Sequence, residues 1–164
     1  MRSYLILFLI LTGINLQGQD QLTTFILVRH AEKVSDGSKD PDLTPEGMIR
    51  AENLTKLFQN TTISGVYSTP FNRTRKTVAS LAQSKSLTVQ DYEPAKNEAI
   101  EKIWNNNLGK TVLISGHSNT IPRIANYLTG TDKFKDFADS DYGNILVITV
   151  IQKNKTGSVT WLRY

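Results

Sequence analysis

Residues 24–30 read Thr-Phe-Ile-Leu-Val-Arg-His. From Thr24 to Val28 there is no alternation of polar and apolar residues. Such a run predicts a strand covered on both faces, as in a parallel sheet between helices. The strand ends on Arg29 and His30, a charged and a titratable residue where the chain leaves the sheet. Thr111-Val112-Leu113-Ile114-Ser115 is a second run of the same kind and predicts the strongest central strand. It leads into Gly116-His117-Ser118-Asn119.

Outward from these two strands, short β-rich runs alternate with helical ones. Thr44, Pro45 and Glu46 give an N-cap, a first-turn proline and a first-turn acid. They open a helix whose apolar face is Leu54, Leu57 and Phe58. Ile63–Tyr67 predicts a strand. A helix runs from Pro70 to about Gln83, with Val78, Leu81 and Ala82 inward. Leu87–Val89 predicts a short strand, and Glu98–Asn107 a helix burying Ile100, Ile103 and Trp104. A helix after Thr120 carries Pro122 in its first turn, where a missing N–H costs nothing. Its inward residues are Ile124, Ala125 and Leu128. Asn144–Ile151 and Ser158–Leu162 predict a terminal antiparallel hairpin across Lys153–Gly157. The expected fold is a three-layer α/β/α domain, with a mostly parallel central sheet, helices on both faces and a C-terminal antiparallel hairpin.

The composition bounds the function. The chain has 164 residues, 39% hydrophobic and 21% charged. That excludes a disordered chain, a collagen-like repeat and a polytopic membrane protein. Its formal net charge of +4 suits anionic partners but is far from a nucleic-acid-binding arm. There is no cysteine, hence no disulfide, thiolate metal site or thiol nucleophile. Residues 1–19 differ from the rest: Arg2, an apolar run from Leu5 to Leu11, then a fade to Gln17-Gly18-Gln19. This pattern predicts a secretory signal peptide cleaved near Gly18, leaving 20–164 as one domain. Asn53, Asn60, Asn72 and Asn154 each begin an Asn-x-Ser/Thr triplet. Their number fits chance in a chain this rich in Asn, Ser and Thr. An exported, periplasmic or secreted bacterial protein is expected, without stable membrane insertion after cleavage.

In parallel α/β sheets ligands bind at the carboxyl ends of strands. Both histidines of the chain, His30 and His117, stand directly after strands. The loop after Tyr67 brings Ser68, Thr69, Arg73 and Arg75. If the first strand and the Thr111 strand are neighbours, two histidines and at least two arginines face one small volume. That suits a compact anion such as phosphate, because guanidinium groups bind its oxygens in pairs and helix N-termini add N–H donors. A metal site would need a third ligand such as Glu32, Asp36, Asp40 or Asp42. Arg29 and Arg73 would oppose the cation, so no metal is expected. The Asp36–Asp42 loop lacks the spacing of a calcium loop.

These residues resemble the histidine phosphatase superfamily, the phosphoglycerate-mutase-like fold. Leu27 to Lys33 is similar to its Arg-His-Gly signature, with Ala31 in the glycine place. Asp42 to Gly47 is similar to its Leu-Thr-x-x-Gly element, Tyr67 to Val78 to its Ser-x-x-x-Arg-x-x-x-Thr element, and Val112 to Thr120 to its second-histidine block. The resemblance implies that His30 is the nucleophile, that Arg29, Arg73 and His117 clamp the phosphoryl group, and that no cofactor is needed. Ser118 and Asn119 could add hydrogen bonds to substrate at the helix start. Arg75, two residues from Arg73, points to another side of its helix. The proton donor departs from the pattern: Ser118 stands where one branch carries Asp. Asp91, Glu93 and Glu98 are the remaining candidates, and Glu93 is the choice. The expected activity is metal-independent hydrolysis of small phosphomonoesters through a phosphohistidine. The alternatives are a phosphate- or phosphosugar-binding module of the same fold without turnover, or a phosphohistidine or pyrophosphate hydrolase.

Overall fold

The computed structural model describes residues 22–152 and 155–164. The expected signal peptide lies outside the described residues, as do residues 153 and 154 in the turn of the expected hairpin. Ten elements follow in order: β1 (Thr23–Arg29), α1 (Pro45–Leu57), β2 (Gly65–Ser68), α2 (Asn72–Ser84), β3 (Val89–Asp91), α3 (Asn97–Asn106), β4 (Thr111–Gly116), α4 (Thr120–Thr129), β5 (Asn144–Gln152) and β6 (Lys155–Arg163). They build one six-stranded sheet in the order β3-β2-β4-β1-β5-β6. The pairs β3–β2, β2–β4 and β4–β1 are parallel; β1–β5 and β5–β6 are antiparallel.

The absence of alternation in β1 and β4 has its expected cause. Phe25, Leu27, Val112 and Ile114 face one layer, with Ile100, Ile103 and Trp104 of α3 and Ile121, Ile124, Ala125 and Leu128 of α4. Ile26, Val28 and Leu113 face the other, with Leu54 of α1 and Val78, Leu81 and Ala82 of α2. Each strand therefore has helices on both sides, and both side-chain sets are apolar.

Helix α1 starts as its sequence dictates. Thr44 Oγ1 accepts the Gly47 N–H at 3.1 Å, and Pro45 opens the first turn. Its inward stripe is Gly47, Ala51 and Leu54, continued by Phe58 just past its end. Leu57, expected inward, is 50% exposed. It sits about 90° round the helix from that stripe. Gly47 is fixed by contact: a Cβ there would lie 2.2 Å from the Glu32 carbonyl oxygen.

Four boundaries shift by two residues or more. Strand β2 begins at Gly65 and not Ile63, and ends at Ser68. Helix α2 begins two residues after Pro70, with Phe71 at its N-cap. The short strand after it begins at Val89 and not Leu87. The Leu87 N–H is taken by the Ala82 carbonyl at 2.9 Å, behind Ser86 at φ 55°, which closes α2. Strand β6 begins at Lys155, earlier than Ser158, and runs to Arg163. No helix among the described residues is long and apolar enough to cross a membrane.

Candidate active site

The register of β1 on β4 assembles the site. Arg29 pairs with Gly116, so the residues that follow, His30 and His117, leave neighbouring strands side by side. The His30 N–H donates to the Gly116 carbonyl at 2.9 Å, and the two rings stand 5.5 Å apart at 66°. The Gly116 position allows this close passage: a Cβ there would meet Thr120 Oγ1 at 2.6 Å. Strand β2, on the other side of β4, delivers Thr69 and then the first turn of α2 with Arg73.

His30 is 3% exposed. Its Nδ1 lies 2.8 Å from the Ala31 carbonyl oxygen. A carbonyl only accepts, so Nδ1 carries the proton and Nε2 keeps its lone pair. Burial, followed by the positive field of Arg29, His117 and Arg73, pushes its pKa down to about 3, despite the Ala31 bond, which favours the charged form. His117 is pushed down to about 4, again by burial first and by Arg73 and Arg29 after it. Both imidazoles are neutral near pH 7, and His30 presents a free nitrogen lone pair beside two fixed cations.

His117 is held by a hydroxyl chain. Its Nε2 is 3.0 Å from Thr69 Oγ1, which is 2.9 Å from Thr74 Oγ1. The Thr74 hydroxyl spends its one proton on the Thr69 or Phe71 carbonyl, each 2.9 Å away. Thr69 then donates to Thr74 and accepts from His117 Nε2–H. The His117 main-chain N–H goes to Thr120 Oγ1 at 2.6 Å.

The arginines differ in how they are held. Arg29, 2% exposed, donates through Nη1 to the Ala138 carbonyl at 2.6 Å and the Asp141 carbonyl at 3.1 Å. Its guanidinium lies 4.3 Å from the centre of the Tyr142 ring, and Asp139 is 3.9 Å from Nη2. Arg73 lies 4.6 Å from the centre of the Phe71 ring. Its Nη1 is 3.6 Å from Asp40 Oδ1, an ion pair too long for a hydrogen bond. Arg29 Nε and Arg73 Nε and Nη1 are buried without a hydrogen-bond partner in the protein. Burial lowers the pKa of both guanidinium groups. Two desolvated cations with unused N–H donors beside two neutral imidazoles make an anion clamp of phosphate size.

The Gly47 contact with Glu32 is part of the frame behind the clamp. Glu32 is held by Arg50 through Nε at 2.9 and 3.0 Å and Nη2 at 2.5 Å. Arg50 keeps the Glu32 carboxyl below its usual range.

Residues 25–94 match the family model described as histidine phosphatase superfamily (branch 1). The matched stretch runs from β1 to the loop after β3 and takes in Arg29, His30 and Arg73. None of the curated proteins matches the sequence. Solved structures do. The protein histidine phosphatase SixA, complexed with tungstate, aligns with a TM-score of 0.66 at 17% identity, covering 85% of this chain and 94% of SixA. A phosphoserine phosphatase mutant from Entamoeba histolytica, in complex with phosphoserine, aligns at 0.66 and 16% identity, covering 84% and 96%. YhfR of Bacillus stearothermophilus aligns at 0.65 and 16%, covering 83% and 98%. Likeness at these identities is a likeness of fold.

Within this histidine phosphatase fold the expected residues occupy distinct places. Arg29, His30, Arg73 and His117 come together. Arg75 does not join them; it forms a two-point ion pair with Asp91, Nε to Oδ1 at 3.0 Å. Ser118 is half-buried, and its carbonyl accepts the Phe137 N–H at 3.0 Å. Asn119 is exposed at the N-cap of α4, with no side-chain capping bond. Glu93 is exposed on the loop after β3, its carboxylate accepting the Ala95 N–H at 3.2 Å. That loop is tied to the site through Tyr92, whose hydroxyl donates to the Ser115 carbonyl at 3.2 Å. Among the described residues, no three His, Asp or Glu side chains gather as metal ligands. Of the aromatic residues in the 130–143 loop, Tyr142 reaches His30, ring centres 5.8 Å apart. Phe134 and Phe137 pack with Trp161 instead.

Proposed function

We propose that the protein is a phosphatase that hydrolyses phosphomonoesters through a phosphohistidine on His30, without a metal ion. The observation that carries this is the lone pair on His30 Nε2, fixed by the Nδ1–H bond to Ala31, in the field of Arg29 and Arg73, whose guanidinium groups keep buried, unused donors. In the first step Nε2 attacks phosphorus, the N–P bond forms, and the P–O bond to the leaving group breaks. Arg29 and Arg73 bear the charge on the phosphoryl oxygens, and His117 joins them by turning its Nε2–H from Thr69 to the bound phosphoryl group; positioning and electrostatics dominate such transfers. In the second step water attacks phosphorus, the N–P bond breaks, and phosphate leaves with Nε2 free again. Ser118 and Asn119, at the start of α4, are assigned to hydrogen-bond the substrate.

The departing oxygen needs a proton, and we assign it to Glu93. The support is its place on the loop that Tyr92 anchors beneath Ser115. We also assign residues 1–19 to export of a 20–164 domain into the periplasm or outside a bacterial cell. The mass of the mature N-terminus tests that assignment.

The test of the activity is hydrolysis of an aryl phosphate by residues 20–164 with a chelator present, beside His30→Ala. Chelator-resistant turnover that the substitution abolishes is expected. Loss of turnover to chelator overturns the metal-free mechanism. Phosphate binding without turnover of any ester would leave a binding module. Glu93→Gln should slow an alkyl phosphate strongly and a nitrophenyl phosphate little, because the latter leaves without a proton.

A further inference from the structure

The two arginines of the clamp are flanked alike. Arg29 lies 4.3 Å from the Tyr142 ring centre and 3.9 Å from Asp139; Arg73 lies 4.6 Å from the Phe71 ring centre and 3.6 Å from Asp40. The rings continue onto the histidines, in a row Phe71–His117–His30–Tyr142 with centres 5.2, 5.5 and 5.8 Å apart. Each carboxylate reaches outward from the clamp: the Asp40 side chain is 40% exposed and that of Asp139 is fully exposed. Asp40 is placed by structure and not by chance of rotamer, since its Oδ1 also accepts the Asn72 N–H at 2.9 Å at the start of α2. Lys76, a cation on the neighbouring stretch of α2, is already engaged by Asp42 at 2.5 Å.

Charge then decides what can be attached to the phosphoryl group. With a phosphoryl dianion bound, two guanidinium charges meet two phosphoryl charges. The carboxylates of Asp40 and Asp139 are left over, each on the solvent side of its arginine, and a leaving group that departs toward solvent meets them. Asp40, the less exposed of the two, is the less screened by water. We infer that this site selects phosphomonoesters with uncharged or cationic leaving groups and discriminates against leaving groups that carry a carboxylate. The inference rests on the phosphatase reading above and narrows its substrate class.

The test measures binding of three benzylphosphonates with para substituents CH2COO⁻, CH3 and CH2NH3⁺, by calorimetry at low ionic strength. The methylene groups keep the phosphonate chemistry alike while the distal charge changes. The carboxylated ligand should bind about fivefold more weakly than the methyl ligand or worse, and the aminomethyl ligand at least as tightly as the methyl one. In the Asp40→Asn, Asp139→Asn double variant the spread should shrink to within about twofold. The Asp40→Asn change keeps a side-chain oxygen to accept the Asn72 N–H, and position 139 is fully exposed, so the fold is not at stake. Equal affinity for the three ligands overturns the inference, as does a spread that survives the double substitution or failure of all three to bind. If the ligands bind in the stated order but the matching aryl phosphates are not hydrolysed, the selectivity stands and the phosphatase reading fails.

Discussion

Both histidines of the chain stand in the site, so the histidine protons taken up on unfolding report on the site alone. His30 titrates at about 3 and His117 at about 4, against an ordinary 6.5. Both shifts are downward. Between these values and 6.5 the folded chain therefore binds fewer protons than the unfolded one, and stability rises with pH. The contribution is whole above 6.5 and is lost as pH falls through about 4 and then about 3. At about pH 5 the unfolded chain holds close to two more histidine protons. Each is worth about 1.4 kcal/mol per pH unit, so the slope approaches about 2.7 kcal/mol per unit. Integrated from about pH 7 to pH 5, and discounted for water at the more open His117 ring, the loss is roughly 3 kcal/mol. Glu32 adds a loss of the same sign below its ordinary 4.5. The assay is urea unfolding followed by the fluorescence of Trp104 and Trp161, at several pH values across this range. The His30→Gln, His117→Gln double variant should lose most of the slope. Stability that stays level from about pH 7 to pH 5, or a double variant with an unchanged slope, would refute the claim that the fold holds two neutral imidazoles.

Two further outcomes follow from how the clamp and its frame are built. Arg73→Leu should cut kcat/KM on an aryl phosphate by about 100-fold or more, with unfolding midpoint unchanged or raised, because it removes two buried donors without partners. Arg29→Ala should cut activity likewise but also cost about 1–3 kcal/mol, since it orphans the Ala138 and Asp141 carbonyls. Equal stability effects of the two would contradict the assignment. Gly47→Ala should destabilise by about 1–3 kcal/mol in urea titration, because its Cβ would overlap the Glu32 oxygen. A neutral result would show that α1 moves freely against the Glu32 segment.

Much of the architecture is legible because its signals are local. Continuous apolar runs mark β1 and β4, and Thr44-Pro45-Glu46 marks the start of α1. The pairing of His30 with His117 needs one assumption, that β1 and β4 are neighbours, and the register supplies it. Leu57 misleads because a leucine at the end of an apolar stripe reads as part of it, while the helix turns it away. Leu87 misleads because its N–H closes a helix before any strand begins. The flanking of the arginines is harder to read. Arg29 and Ala138 are 109 positions apart, and no spacing rule links them. Asp40 reads as part of a solvated loop, and only the start of α2 beside it gives it a partner. Thr69 is visible as a strand-end residue, but its bond to His117 depends on two loops meeting. Loop residues take their partners from tertiary packing, and periodicity carries no trace of that.

The central claim is that His30 becomes the phosphoryl carrier. It is tested most directly by mixing residues 20–164 with an aryl phosphate labelled in the phosphoryl group and quenching in alkali within the first turnover. A phosphoramidate survives alkali and is lost in acid. The account predicts label on the peptide that contains His30, approaching about one per chain, and none in the His30→Ala variant. Turnover with no label on the chain, or label on any other residue, would contradict it.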